Sequence, residues 1–268
     1  MNYAFEDIED IFIYNNIIQD LCNAGRQKEG LVLLDMIRSQ RSVPKTFVYN
    51  NLIGAFCKAG DIEKSRQLFD QMEEDGVRVS VVALNALVDG MCKHGMINMI
   101  NSALELFADV KSKLGLEGNA ITYTSLITGL CNLNNLDKAM ALFDEMVSVL
   151  RAPLTNTMIY NVLIDSLCKE KKIENAFSLV DHMIAKGVRP DVQTYNAIFR
   201  GLRDMNLLDK AFVVMDTMKE QACDPDNITM QWLSTAGETT RLNNFAKAMG
   251  VKFNRFRPVI QSRKDKKR

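Results

Sequence analysis

Five of the six cysteines recur at nearly constant spacing, and that spacing limits the possible folds more than any other feature of the chain. Cys22, Cys57, Cys92, Cys131 and Cys168 are separated by 35, 35, 39 and 37 residues. A second ruler keeps step with the first: Tyr14-Asn15, Tyr49-Asn50, Leu84-Asn85, Tyr123-Thr124, Tyr160-Asn161 and Tyr195-Asn196. A period of this length marks an array of small structural repeats rather than one unique core. Six units follow, at 11–45, 46–80, 81–119, 120–156, 157–191 and 192–226. The third carries four extra residues and the fourth carries two.

Each unit has the pattern of two helices. In the second, Tyr49, Leu52, Ile53, Phe56 and Cys57 form one apolar stripe at helical spacing, and Ala59-Gly60 closes that helix. Ile62, Ser65, Leu68, Phe69 and Met72 form the stripe of the second helix, which ends at Gly76. One such pair cannot bury both its faces, whereas stacked pairs can, so the expected fold is a solenoid. Gly90, Gly129, Ser166 and Gly201 share one small slot in the first helix, as close helix approach requires. The extra residues of the third unit, around Met96 to Ser102, are expected between its helices, and those of the fourth, around Val149 to Thr155, after its second helix. Residues 1–10 form an N-terminal cap or arm, 227–250 a degenerate seventh unit or C-terminal cap, and 251–268 a basic tail.

Charge and composition narrow the function. Lysine plus arginine equals aspartate plus glutamate at 33 each, which is unusual for a nucleic-acid binder. The balance is uneven along the chain. Glu6, Asp7, Glu9 and Asp10 open it, and Lys252 to Arg268 holds eight basic residues against Asp265. No apolar run approaches the length of a membrane span, so no membrane partner is expected. Met1 to Asp10 is acidic and lacks arginine, so no targeting peptide is visible.

No chemistry-bearing cluster stands out. Cysteines about 35 residues apart match no zinc-ligand pattern, and each of the five lies on an apolar stripe, where a thiol acts as a small hydrophobe. Cys223 lies in a loop and is the exposed exception. His94 and His182 fall in different slots of different repeats and read as surface polar residues. Met72, Met146, Met183 and Met218 share one slot as core filling. No metal, no cofactor, no small-molecule substrate and no enzymatic activity is expected.

The informative residues are the fifth of each unit and its last. They pair as Asn15 with Lys45, Asn50 with Ser80, Asn85 with Asn119, Thr124 with Asn156, Asn161 with Asp191, and Asn196 with Asp226. Ser, Asn and Asp directly before a helix are preferred N-caps, which accounts for the last position. Capping leaves the fifth position unexplained, since it lies inside the helix and is polar in all six units. A ladder of amides and carboxylates one repeat apart suits the edges of unstacked, single-stranded bases. Capping and base contact are compatible.

The units resemble pentatricopeptide repeats. The resemblance rests on Val192-Gln193-Thr194-Tyr195-Asn196-Ala197-Ile198, on Phe47-Val48-Tyr49-Asn50-Asn51-Leu52-Ile53 followed by Phe56-Cys57-Lys58-Ala59-Gly60, and on the loop Lys186-Gly187-Val188-Arg189-Pro190-Asp191. It covers 11–226. Tetratricopeptide repeats would require a Trp in each unit, and the only Trp is Trp232.

The resemblance implies an all-α, right-handed α-solenoid of about 35-residue helix–turn–helix repeats, a P-type array without an appended catalytic domain, with the first helix of every unit on the concave side. It implies sequence-selective binding of single-stranded RNA in a mitochondrion or chloroplast, with each fifth and last residue reading one base. A helical scaffold for a protein or peptide partner is the alternative. Second residues would flank the bases. These are Phe12, Phe47, Val82, Ile121 and Met158, with Gln193 departing from the apolar pattern. A lysine near the end of the first helix would meet phosphate. Lys58, Lys93 and Lys169 fill that slot, Asn23 and Asn132 are neutral there, and Asp204 has the wrong sign. By the same resemblance, units two to six specify C, a pyrimidine, A, U and U, read 5′ to 3′.

Overall fold

A computed structural model describes residues 3–39, 44–93, 96–150 and 157–229, with the side chains of 3–12, 208 and 209 left out. Among these residues the chain forms twelve helices of at least 13 residues: α1 (Tyr3–Asn23), α2 (Gln27–Ser39), α3 (Thr46–Lys58), α4 (Ile62–Glu74), α5 (Val81–Lys93), α6 (Ile97–Leu114), α7 (Ala120–Asn132), α8 (Leu136–Leu150), α9 (Thr157–Lys169), α10 (Ile173–Ala185), α11 (Val192–Asp204) and α12 (Leu208–Glu220). Among the described residues no strand is present. They fall into two compact units, Met1–Arg151 and Ala152–Arg268.

In the first unit α1, α3, α5 and α7 pack side by side in chain order. α2, α4 and α6 each pack on their own partner and on the first helix of the next pair, and α8 packs on α7. The second unit repeats the scheme, with α9 against α11 and α10 bridging both. This is the solenoid arrangement, and the residue pattern accounts for it. The third, fourth, seventh and eighth residues of each first helix lie on one face. In α3 these are Val48, Tyr49, Leu52 and Ile53, in α5 Ala83, Leu84, Leu87 and Val88, and in α9 Ile159, Tyr160, Leu163 and Ile164, all buried. Ser65, the polar member of the α4 stripe, is buried because its hydroxyl donates to the Asp61 carbonyl at 3.0 Å, one turn back.

The turns use left-handed backbone where the sequence provides for it. Gly60 closes α3 at φ 83° and Gly76 closes α4 at φ 70°, both as expected. Where glycine is missing at the first of these turns, Asn134 and Asn206 take φ 55°, as asparagine tolerates, and Lys171 takes φ 61°.

The extra residues of the third repeat are not a loop between its helices, as the sequence suggested. α6 begins as few residues after α5 as α4 does after α3, and it runs 18 residues against 13. Ile-Asn-Met at 97–99 contains neither Gly nor Pro, so nothing stops the helix from gaining most of a turn at its start. In the fourth repeat α8 is 15 residues long, and residues 151–156 lie outside the described residues. The N-terminal residues 3–10 belong to α1, continuous with the first helix of the first repeat. The segments 230–250 and 251–268 lie outside the described residues.

The stacking slot is tight. A Cβ on Gly90 would lie 2.9 Å from the Cys57 sulfur, one on Gly129 3.1 Å from the Cys92 sulfur, and one on Gly201 2.7 Å from Cβ of Cys168. The recurrent cysteine and the recurrent small residue are two sides of one contact between consecutive repeats.

Candidate functional site

In the second, fourth, fifth and sixth repeats the fourth residue is a tyrosine with a buried ring, on the helix that carries the fifth. Tyr49 Oη donates to Asp75 at 2.5 Å, and Asp75 in turn pairs with Arg38 at the end of α2. Tyr123 Oη donates to Glu145 at 3.1 Å, which Lys111 also reaches. Tyr160 Oη meets His182 Nδ1 at 3.2 Å. His182 is therefore half-buried against the core rather than a surface residue as expected. Its sequence position gave no hint, because the contact spans two helices. His94 lies outside the described residues.

The fifth and last residues come together in four repeats. Ser80 Oγ donates to Asn50 Oδ1 at 2.7 Å, Asn85 Nδ2 to Asn119 Oδ1 at 3.1 Å, and Asn161 Nδ2 to Asp191 Oδ1 at 3.1 Å. Asn196 Nδ2 shares its proton between the two Asp226 oxygens at 3.3 and 3.2 Å. The last residue is at the same time the N-cap of the following helix. Asn119 accepts from the backbone of Thr122, Asp191 from that of Thr194, and Asp226 from that of Thr229. Capping and pairing therefore coexist in the same side chain.

A third member of this cluster was missed. Thr122, Thr194 and Thr229 close reciprocal capping boxes, each accepting from the backbone N–H of the capping residue. Each hydroxyl has a single proton, and it points back to the fifth residue: to Asn85 Oδ1 at 2.5 Å, Asn161 Oδ1 at 2.5 Å and Asn196 Oδ1 at 2.7 Å. The signal was present as Asn-x-x-Thr at 119–122 and Asp-x-x-Thr at 191–194 and 226–229. Each amide is thereby held in one orientation, its oxygen on the threonine and one of its two protons on the cap.

What remains free differs with the capping residue. Oδ1 of Asp191 accepts from the Thr194 backbone N–H and from the Asn161 amide, and Oδ2 has no partner among the described residues. Oδ1 of Asn119 is occupied in the same way, so its free group is the donor Nδ2. Asp191 thus offers a spare acceptor where Asn119 offers spare donors. Burial would raise the Asp226 carboxyl, but hydrogen bonds from the backbone and hydroxyl of Thr229 and from Asn196 outweigh it and hold the carboxyl below its ordinary range. Asp226 is an ionised acceptor at neutral pH.

The pair of the first repeat is not assembled among the described residues. Asn15 is buried with its Oδ1 lacking a hydrogen-bond partner among the described residues, and Lys45 makes no side-chain cap. Thr124 is buried with its hydroxyl bonded to the Ala120 carbonyl at 2.6 Å, and Asn156 lies outside the described residues.

The second residues are exposed although apolar. Phe47, Val82, Ile121 and Met158 show between 43 % and 60 % of their surface, and Ile228, second residue of the seventh unit, shows 51 %. Packing therefore does not account for them. Phe12 has no described side chain. Between α9 and α11 lies an open groove of about 410 Å³, lined by Met158, Asn161, Asp165, Gln193, Asn196 and Arg200. The corresponding groove between α3 and α5 is about 530 Å³ and includes Lys58, Asp89 and Lys93. Lys93 pairs with Asp89 at 2.6 Å and Lys169 with Asp165 at 2.7 Å, each one helical turn earlier. Such exposed pairs are weak and exchange readily for a phosphate. Lys58 has no ion pair among the described residues.

Cys92, Cys131 and Cys168 are buried, and Cys22, Cys57 and Cys223 are half-buried, so Cys223 is not the one exposed thiol that the sequence suggested. Burial, with Asp89 and Asp165 adding repulsion, pushes the Cys92 and Cys168 thiols up to about 12. A folded-state value above the unfolded one contributes stability that is complete below the unfolded pKa. It is lost as pH rises from there, about 8.5 for a thiol, toward the folded value. The melting temperature is expected to hold between neutral pH and the start of that window and then to fall steadily. A scan with its main fall at neutral pH would contradict these assignments.

Comparisons with known proteins agree with this architecture. The PPR repeat family profile matches residues 44–93 and 155–204, and two PPR repeat profiles match 114–147 and, in a second form, 82–113 and 193–223. No curated protein sequence matches the chain. Among solved structures, the pentatricopeptide repeat protein PPR10 from maize superposes with a TM-score of 0.64 at 23 % identity, over 89 % of this chain and 34 % of that one. PPR10 in complex with an 18-nt psaJ RNA element gives 0.53 at 20 % identity, over 90 % and 39 %. The PPR domain of Arabidopsis thaliana protein-only RNase P 1, in complex with tRNA, gives 0.58 at 15 % identity, over 69 % and 95 %. The chain spans about a third of the length of maize PPR10. The profile matches together cover well over half of the sequence, and the chain belongs to the pentatricopeptide repeat family.

Proposed function

We propose that the chain binds single-stranded RNA with one base per repeat, acting by occupancy in organellar RNA processing, stabilisation, splicing or translation, in a mitochondrion or chloroplast. The observation that carries this reading is the fixed amide of Asn161 beside a capping carboxylate with one oxygen to spare, at the edge of an open groove. An unpaired acceptor suits the N3–H of uracil, and the unpaired donors of Asn119 suit N3 of cytosine. The exposed second residues supply apolar surfaces against which a base ring can lie. RNA complexes of PPR10 and of the RNase P repeat domain support the choice of ligand class.

The test is a mobility shift on a single strand containing C, a pyrimidine, A, U and U in that order, against poly-purine and poly-pyrimidine controls. The ordered strand is expected to bind most tightly. On single strands the logarithmic salt dependence is roughly −0.7 per phosphate neutralised, so the three lysines give a slope of roughly −2. A much steeper slope that disappears on deleting residues 251–268 would make the basic tail the main contact. Equal affinity for all strands would favour the protein scaffold.

A further inference from the structure

We infer that Arg200 carries the backbone-phosphate contact of the sixth repeat, in place of the thirteenth position. This rests on the RNA-binding reading above. The fifth, ninth and thirteenth residues of a first helix are spaced four apart and share one face. On α5 that face runs Asn85, Asp89, Lys93, and on α9 it runs Asn161, Asp165, Lys169. On α11 it runs Asn196, Arg200, Asp204, with the two charges exchanged. Asp204 cannot meet a phosphate, and its Oδ1 is already taken by both Arg203 Nε and Nη2, at 2.9 and 2.7 Å. The cation on this face lies instead one turn nearer the base-reading amide.

The surroundings of Arg200 fit that role. It lines the α9–α11 groove together with Met158, Asn161 and Asn196. Its Nη1 donates to Asp165 Oδ1 at 2.6 Å across the groove, while its Nε and Nη2 have no partner among the described residues. Asp165 holds the guanidinium by one corner and leaves the rest of the fork open, which is the geometry suited to a bidentate phosphate. The same carboxylate also binds Lys169 through Oδ2. Two cations therefore share one anion, Arg200 through Oδ1 and Lys169 through Oδ2 of Asp165.

A cross-link between repeats would place Arg200 in the same contact with Asp165, so the test has to separate the two roles. Binding of the ordered strand, and of a strand with both U positions changed to A, is measured by fluorescence anisotropy across a salt series, with melting curves in parallel. Arg200→Gln is expected to make the slope shallower by about 0.7. It weakens both strands by the same factor and leaves their ratio unchanged, and Arg200→Lys keeps the slope. An unchanged slope with a lower melting temperature, or a loss confined to one strand, overturns the inference while leaving the RNA-binding reading intact. Wild-type protein that binds neither strand overturns both. Should the glutamine variant fail to fold, Asp165→Asn decides. Released from the carboxylate, Arg200 and Lys169 bind both strands several-fold more tightly at low salt, and the absence of any gain overturns the inference.

Discussion

Gly201→Val is expected to lower stability by about 3 kcal/mol, a fall in melting temperature on the order of 10 °C. An added Cβ would stand 2.7 Å from Cβ and 3.3 Å from Cα of Cys168, atoms fixed to the neighbouring helix. A sulfur can rotate away, as Cys57 can from Gly90, but the Cα of α9 moves only if the two repeats separate. Valine adds two methyl groups to that overlap, and the propensity gained on leaving glycine, about 0.5 kcal/mol in a helix, does not offset it. Gly54→Ala is the control. It is also a helical glycine, but its Cβ would meet nothing within 4 Å, so the same reasoning expects a gain of about 1 kcal/mol. Thermal melts of the two variants check the sign as well as the size. Equal behaviour would show that the glycine slot is not a packing contact.

The fold was legible because the buried positions recur. Tyr49, Leu52 and Ile53 in one repeat and Tyr160, Leu163 and Ile164 in another are the same contacts seen repeatedly, and repetition separates signal from chance. What occurs once is harder to read. The extra residues of the third repeat looked like a loop because they interrupt the period. A longer α6 satisfies the period equally well, and only the absence of Gly and Pro around Asn98 favoured the helix. His182 was misplaced for a related reason, since its contact with Tyr160 depends on the angle at which two helices cross.

The candidate site was legible in its first two members and not in its third. Asn161 and Asp191 stood out as polar residues in fixed slots. Thr194 was hidden because a threonine as the third residue of a helix also reads as an ordinary helix start, and the bond from its hydroxyl to Asn161 links residues 33 apart. The ninth-position charges were hidden too. Asp89 and Asp165 each read as the ordinary helical partner of the lysine one turn later, and no sequence rule announces that Arg200 reaches across to Asp165.

The second large effect is a change of base preference. Replacing Asn161 by Thr and Asp191 by Asn gives the fifth repeat the pair found at Thr124 and Asn156 in the fourth. Asparagine remains a good N-cap, so the helix start and the capping box with Thr194 survive. The spare acceptor of Asp191 becomes a pair of donors, which no longer accepts from the N3–H of uracil. Good base contacts discriminate by ~1–3 kcal/mol, or roughly 5- to 150-fold. The decisive measurement is the ratio of affinities for two strands differing only in U or A at the fourth of the five specified bases, taken for wild type and for this double variant. The account predicts that wild type prefers U, that the variant prefers A, and that substitutions at the other four bases act alike on both proteins. The same ratio for both proteins would contradict it: the Asn161–Asp191 pair would then cap a helix without reading a base, and the scaffold reading would replace RNA recognition.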